Sequence, residues 1–410
     1  MRILLIHQIF VAHKEVGGTR HFELAKILKR KGIDFTIVAS DLNYLTGSRV
    51  FKKPKLIKTQ HIEDLKVIRA YTIPLLHKSY TGRLLSFLSF MVTSILAGLK
   101  ETNIDIVMGT SPPLFQGLSA YIISRYRKVP FVMEVRDLWI DFSVQLGVVK
   151  NRIAVLIAKK IENFLYNHAD AVIVNSPGFI KHILNKGVNK NKIFLVPNGV
   201  HVKMFDVNNN GNEIRKKLRL NNKFIVLYAG AHGLANDLQT ILLSAKILKD
   251  NKNIVFILIG DGKEKSNLVQ MAKKLELENV LFLSPQPKSE IPKYIAASDV
   301  CVAILKPIPL FKTTYPNKVF DYMASGKPTI LAIDGVIRKV IEEAQGGIFV
   351  PPGDPKALAD AIIFYLENPK IKILHGKNAK NYVIKNFDRE KQAVILKEIL
   401  IQISKSSMKF

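Results

Sequence analysis

The stretch Tyr315–Pro328 reads YPNKVFDYMASGKP and sets two charged side chains, Lys318 and Asp321, three residues apart in an otherwise apolar run. Proline suits a first helical turn and Gly-Lys-Pro ends one, so VFDYMA is expected to be helical. At that spacing Lys318 and Asp321 share one face near the helix start. Two kinds of chemistry follow. A helix N-terminus carrying a lysine can seat a phosphate, and a carboxylate one turn further in can accept two hydrogen bonds from a vicinal diol such as that of ribose. The plain alternative is a surface ion pair worth a few tenths of a kcal/mol.

Other stretches place chemistry-bearing residues just after apolar runs. GGTRHFELAKILKRKG puts Gly17 and Gly18 at the head of an amphipathic helix, where backbone N–H groups can approach an anion; a simple turn is the alternative. PFVMEV delivers RDLWIDFSVQLG, which concentrates Arg136, Asp137 and the only tryptophan, Trp139, in one place. There a structural ion pair between Arg136 and Asp137 competes with a functional role. YAGAHGLAND offers Gly230, His232 and Gly233 to a phosphate, or makes an ordinary strand-to-helix turn. No D-x-D pair occurs in the chain, which disfavours a divalent ion bridging a diphosphate. The single cysteine, Cys301, lies in the apolar VCVAIL with no charged neighbour, so it is expected in a core, and an internal disulfide is excluded.

These residues need elements to hold them. The runs ILLIHQIF, FTIVAS, LKVIRAYTI, DIVMGTS, PFVMEV, AVIVNS and KIFLVP read as buried strands, with helical patterns beginning near Gly18, Leu84, Pro113, Asn151 and Pro177. A polar segment, DVNNNGNE, follows Phe205, and the alternation restarts with FIVLYAG, NIVFILIG, NVLFLSP, DVCVAIL, PTILAI and GIFVPP. Two doubly wound α/β domains are therefore expected, residues 1–205 and 206–385, in keeping with a length of 410 residues. Residues 386–410 are expected to form a helix that crosses back to the first domain. The N-terminal MRILLIHQIF lacks a small-residue cleavage site and reads as a first strand. LLSFLSFMVTSILAGL, from Leu84 to Leu99, contains serines and a threonine and falls short of the roughly 18 apolar residues of a membrane span.

The formal net charge is +28, from 61 basic and 33 acidic residues, and +17 of it lies in the first 205 residues. Such a field attracts nucleic acid, anionic lipid or phosphorylated substrates.

The ordered set GGTRHFELAKILKRKG, GTSPPLF, FVMEVRDLW, HADAVIVNSPGF, VPNGVHVKMF, YAGAHGLANDLQT, ILIGDG, ILKPIPLFKTTYPNKVFDYMASGKP and GIFVPPGDPKALADAI resembles the family 4 glycosyltransferases of GT-B fold. It is similar in particular to bacterial enzymes that transfer N-acetylated amino sugars such as N-acetylfucosamine in O-antigen and capsule synthesis. The resemblance implies two Rossmann-like domains facing across a cleft, the first for acceptor and the second for a nucleoside-diphosphate sugar, with UDP expected. The family's two-glutamate motif falls on Thr313 and Asp321, so only the ribose-side carboxylate is kept. The arginine and lysine that usually hold the diphosphate are missing around Ala231 and Asn236. Phosphate contacts are therefore expected from Gly17, Gly18, Lys306, Lys312, Lys318 and the amides of His232 and Gly233, and the base at Gln286. Arg136 stands where many members carry a histidine, and with Asp137 it is the candidate catalytic pair.

The resemblance further implies retention of anomeric configuration without a metal or other cofactor, the donor being a substrate. The implied acceptor is a sugar on polyprenyl diphosphate, which places the enzyme in the cytoplasm, peripheral on the inner face of the plasma membrane. An anchor is expected from Leu84, Leu85, Phe87, Leu88, Phe90 and Met91 beside Arg49, Lys52, Lys53, Lys55 and Lys58; packing of that helix on its own sheet is the alternative. Two rivals are a nucleotide-sugar 2-epimerase of the same architecture and a non-enzymatic nucleic-acid binder. The first lacks the RDLW and PNKVFDYMASGKP segments, and for the second no RNA-binding motif accompanies the charge, so nucleic acid is not an expected partner.

Overall fold

The computed structural model describes residues 1–205 and 211–407, so the first half of the expected linker, Asp206–Asn210, lies outside the described residues. The chain divides into two units, one of residues Met1–Ala12, Thr19–Pro197 and Glu390–Phe410, the other of His13–Gly18 and Asn198–Arg389. The division falls at Pro197 rather than after Phe205, because Val200, Val202 and Phe205 are buried in the second unit's core.

The first unit is built on β1 (Arg2–Ile6), β2 (Asp34–Ser40), β3 (Ile57–Ile62), β4 (Leu65–Ala70), β5 (Ile106–Ser111), β6 (Phe131–Val135), β7 (Ala171–Val174) and β8 (Ile193–Leu195). They lie in the order β3-β4-β2-β1-β5-β6-β7-β8. All pairs are parallel except β3 with β4. Its helices are α1 (Arg20–Arg30), α2 (Tyr80–Lys100), α3 (Phe115–Arg127), α4 (Trp139–Gln145), α5 (Arg152–His168) and α6 (Gly178–Leu184). The central strands β1, β2, β5, β6 and β7 are almost wholly buried, because helices cover both faces of the sheet.

The second unit carries β9 (Phe224–Ala229), β10 (Ile254–Ile259), β11 (Val280–Leu283), β12 (Val300–Ile304), β13 (Thr329–Ala332) and β14 (Gly347–Phe349) in the order β11-β10-β9-β12-β13-β14. Every pair in it is parallel. Its helices are α7 (Asn212–Leu218), α8 (Leu238–Ile247), α9 (Lys265–Lys274), α10 (Ile291–Ala297), α11 (Asn317–Ala324), α12 (Val336–Ala344), α13 (Pro355–Glu367) and α14 (Pro369–Asn386). The last helix, α15 (Arg389–Ser407), puts Ala393, Leu396, Ile399, Leu400 and Ile403 into the core of the first unit. Cys301 is buried on β12, where burial pushes its thiol up to about 12.

Helix α2 is turned against its composition. It buries Gly82, Ser86, Phe87, Phe90, Thr93, Ser94, Ala97 and Gly98, and leaves Leu84, Leu85, Val92 and Leu96 exposed. The small face lets neighbours approach closely; a Cβ on Gly98 would come within 2.5 Å of the Ile123 side chain on α3. Buried hydroxyls find local carbonyls: Thr93 Oγ1 donates to Tyr71 O at 2.7 Å and Ser86 Oγ to Ile73 O at 2.6 Å. Phe87 and Phe90 therefore leave the expected anchor, while Leu84 and Leu85 remain outward. Among the described residues α2 is also the one helix long and apolar enough to cross a membrane by length and composition.

In each sheet strand order reverses, between β1 and β5 in the first unit and between β9 and β12 in the second, and ligands of such sheets bind beyond the strand ends at that point. The β9–β12 ladder stops at Leu227 opposite Cys301, although both strands run on. Tyr322, from α11, fills the gap: its hydroxyl accepts from Ala229 N at 3.0 Å and is itself fully buried. That bond fixes α11 against the end of β9. Tyr322→Phe is expected to strand the Ala229 N–H and lower stability by about 1–3 kcal/mol, read as a drop in the urea midpoint at unchanged slope.

Candidate functional site

The turn after β9 is shaped by glycine. Gly230 has φ +156°, and a Cβ there would lie 2.6 Å from Lys318 Nζ. Gly260, after β10, has φ +150°, and a Cβ there would lie 1.9 Å from Gly230 O. Bare backbone at both positions lets the two turns and the lysine converge.

Lys318, in the first turn of α11, is the cation at this convergence. Its Nζ lies 3.8 Å from the centroid of the Tyr228 ring and 3.5 Å from Asn236 Oδ1. Among the described residues no carboxylate lies within ion-pairing distance of it, and desolvation brings its amine down to about 7 despite the attraction of Asp321. Lys318 and Asp321 are thus not the surface pair that their spacing allows. Asp321 is buried, and its Oδ2 accepts from Lys288 Nζ at 2.5 Å, a contact from the loop after β11.

The other expected phosphate contacts divide. Lys306 is exposed, its amide donates to Ala235 O at 3.0 Å, and its amine has no partner among the described residues, so it flanks the Gly230–Asp237 turn as a free cation. The Gly233 amide is likewise uncommitted. The His232 amide is not available: it donates to Asp261 O at 2.8 Å, while its carbonyl accepts from Glu264 N at 2.9 Å. What His232 offers is a fully buried ring with neither nitrogen hydrogen-bonded, held neutral by burial and by Lys265 and Lys318, its pKa brought down to about 4. Lys312 is committed elsewhere, its Nζ 2.8 Å from Asp334 Oδ2 at the start of α12. Gly17 and Gly18 are exposed in the segment His13–Gly18, which groups with the second unit through Ser289 N to His13 O and Lys288 N to Glu15 O, both 3.2 Å; α1 itself begins after Thr19. Gln286 lies in the loop beyond β11, its Nε2 donating to Ser284 O at 3.0 Å. Thr313 Oγ1 donates to Leu310 O at 2.6 Å.

In the first unit Arg136 and Asp137 follow β6. The ion pair expected as the alternative does not form among the described residues. Arg136 Nη1 instead meets His7 Nε2 at 2.7 Å, and its carbonyl accepts from Asn175 Nδ2 at 3.1 Å. Desolvation raises the Asp137 carboxyl to about 7 against the pull of Arg136. A carboxyl so poised at a strand end is suited to hold or exchange a proton with a hydroxyl.

Residues 17–199 match the family model described as glycosyl transferase 4-like domain, and residues 210–382 the one described as glycosyl transferases group 1. The chain belongs to the family 4 glycosyltransferases. It is similar to the putative colanic acid biosynthesis glycosyl transferase WcaI of Escherichia coli K12, at 24% identity over 319 residues, 75% of this chain and 77% of that one. It is also similar to the UDP-Gal:alpha-D-GlcNAc-diphosphoundecaprenol alpha-1,3-galactosyltransferase of Escherichia coli, at 22% over 355 residues, 84% and 86% of the two chains. The sucrose-phosphate synthase of Thermosynechococcus elongatus superposes with a TM-score of 0.79 at 20% identity, covering 99% of each chain, and the fold is GT-B.

The transferase holds three site features that sequence spacing did not single out. Lys288 lies 33 residues from Asp321, and His7 lies 129 from Arg136, separations at which no local pattern operates. Tyr228 was hidden inside an apolar strand, yet its ring is the surface on which Lys318 rests.

Because Lys318 titrates near 7 when free, an added phosphate should raise its pKa and draw a proton from solvent. Calorimetry of UDP binding in buffers of different ionisation enthalpy is expected to show uptake approaching one proton at about pH 8 and little at about pH 6, where the amine is already charged. Lys318→Met should abolish the uptake.

Proposed function

We propose that this glycosyltransferase moves an N-acetylated amino sugar from a UDP donor, with retention and without a metal, to a polyprenyl-diphosphate-linked glycan in surface polysaccharide synthesis. The observation that carries the reading is Lys318, set by Gly230 and Tyr228 at the strand reversal of the second unit with no carboxylate within ion-pairing distance among the described residues. A diphosphate leaving group needs such charge as the glycosidic bond breaks. Lys318 and the Gly233 amide supply it from fixed positions, which lose no energy to reorganisation, and the exposed Lys306 adds to it. Asp321, oriented by Lys288, accepts from the ribose hydroxyls. Arg136 and Asp137 serve the reaction from the first unit. The Escherichia coli galactosyltransferase, named for a UDP sugar and a diphosphoundecaprenol-linked acceptor, supports the choice of nucleotide and of acceptor class.

The test is a thermal-shift panel of UDP-, GDP- and ADP-sugars in the presence of EDTA. A UDP-sugar at a hundred times its Kd should stabilise the protein by about 2.7 kcal/mol. Asp321→Asn should weaken UDP binding by about 1.5–3 kcal/mol while leaving the circular dichroism spectrum unchanged. Preference for GDP or ADP, stabilisation only after Mg or Mn is restored, or epimerised rather than transferred sugar would each refute a part of the reading.

An anionic membrane surface is the proposed partner of the first unit. His77 Nε2 bonds Tyr44 O at 2.6 Å, which ties the loop after β2 to the start of α2, and this corner exposes Tyr44, Leu45, Leu56, Tyr80, Leu84 and Leu85. Lys52, Lys53 and Lys55 are exposed in the same loop. Arg49 drops out of the basic set, since it pairs with Asp41 and lies 4.4 Å over the Tyr71 ring, and Lys58 lies 3.7 Å over Phe51. Three free lysines contribute about 1 kcal/mol each near an anionic surface. Flotation with phosphatidylglycerol vesicles is expected at low salt, reduced by changing Lys52, Lys53 and Lys55 to Ser and by Leu84→Ser with Leu85→Ser. Equal flotation with neutral vesicles would remove the electrostatic component.

A further inference from the structure

Two carboxylates, Glu134 and Asp137, act on Arg136 electrostatically, yet neither is ion-paired to it among the described residues. Glu134, two residues earlier on β6, is fully engaged: Oε1 accepts from Arg20 Nε at 3.0 Å and Oε2 meets His21 Nε2 at 2.5 Å. Arg20 turns its remaining donors to Pro197 O at 2.8 Å and Val196 O at 2.7 Å, so the Arg20–Glu134–His21 group is tied into α1, β6 and the end of the sheet. Asp137 makes no ion pair with Arg136 among the described residues. The acceptor that Arg136 does find is His7 Nε2, at 2.7 Å, just beyond β1.

A guanidinium has only donors, so this contact requires the lone pair of a neutral imidazole on Nε2 and the proton on Nδ1. The surroundings keep the ring neutral, and Nδ1 is buried without a hydrogen-bond partner. His7 is 1% exposed, its ring centroid is 4.3 Å from that of His21, and Phe10 lies edge-on at 6.2 Å. Burial, His21 and Arg136 all hold His7 neutral against the weaker pull of Glu134. A neutral acceptor fixes the direction of a guanidinium without cancelling its charge, which a carboxylate in the same place would do.

We propose that His7 is a positioning residue that holds Arg136 as an oriented cation, not ion-paired to a carboxylate among the described residues, for a phosphate group of the substrate. The proposal rests on the reading of Arg136 as part of the reaction, and its test separates the two.

Long-range proton–nitrogen NMR of the histidine rings should show His7 protonated on Nδ1 alone, and the Nε2–H tautomer or the imidazolium would overturn the contact. Transfer is measured as UDP release from UDP-galactose and from UDP-N-acetylgalactosamine onto N-acetylglucosaminyl-diphosphoundecaprenol. His7→Leu, which removes the acceptor, is expected to lower kcat/KM at least about tenfold. Adding it to Arg136→Ala should then cost nothing further. His7→Gln, whose amide oxygen still accepts, should keep most of the activity, and His7→Glu, which accepts but neutralises, should lose it; this pair decides the matter if His7→Leu fails to fold. Full activity in His7→Leu with inactive Arg136→Ala, additive losses in the double variant, or equal activity of the Gln and Glu variants would defeat the positioning role and leave Arg136 in place. Wild-type activity in Arg136→Ala would defeat both.

Discussion

The second unit buries an amine, that of Lys318, which among the described residues has no carboxylate partner. Lys318 is the N-terminal lysine of a short helix, and a fixed hydroxyl, that of Tyr322, pins this helix where the β9–β12 ladder gives out. Burying an amine beside an aromatic face and two glycine turns costs free energy, and the depressed pKa expresses that cost. Folded parallel sheets recover such a cost from packing: the β9, β10 and β12 strands are buried along their whole length on both faces. A rigid core thus permits a poorly solvated cation, and an anionic ligand that supplies the missing charge relieves the penalty.

The sequence displayed the frame well and the partners poorly, for one physical reason. Strands covered on both faces are continuous apolar runs, so the runs from ILLIHQIF to GIFVPP could be read one by one, and glycines mark turns where no Cβ fits. The edge strand β3, IKTQHI, was missed because only one neighbour pairs with it and its residues are mostly polar. The seven residues of α4 were too few for a helical period to show. In α2 the bulky apolar residues are spread around the helix among small polar ones, so the pattern does not orient it; close packing against α3 decides instead, and it puts glycines, serines and an alanine on the inside. Lys318 and Asp321 were legible as candidates, but the identity of their partners required the fold, since Lys288 and Tyr228 arrive from other strand ends.

The basic side chains differ in what holds them. Lys312 with Asp334 and Arg49 with Asp41 are lysine or arginine satisfied by a carboxylate, and such pairs present little net charge to a ligand. Lys318 is held by a tyrosine ring and an asparagine, and Arg136 by a neutral histidine. In both, the partner is a neutral group rather than a carboxylate, one at the strand reversal of the second unit and the other after β6 in the first. An excess of +28 is therefore informative less by its size than by which cations are left unpaired. Buried cations paired with carboxylates present little charge outward, whereas one held by a neutral group can still meet an anionic ligand.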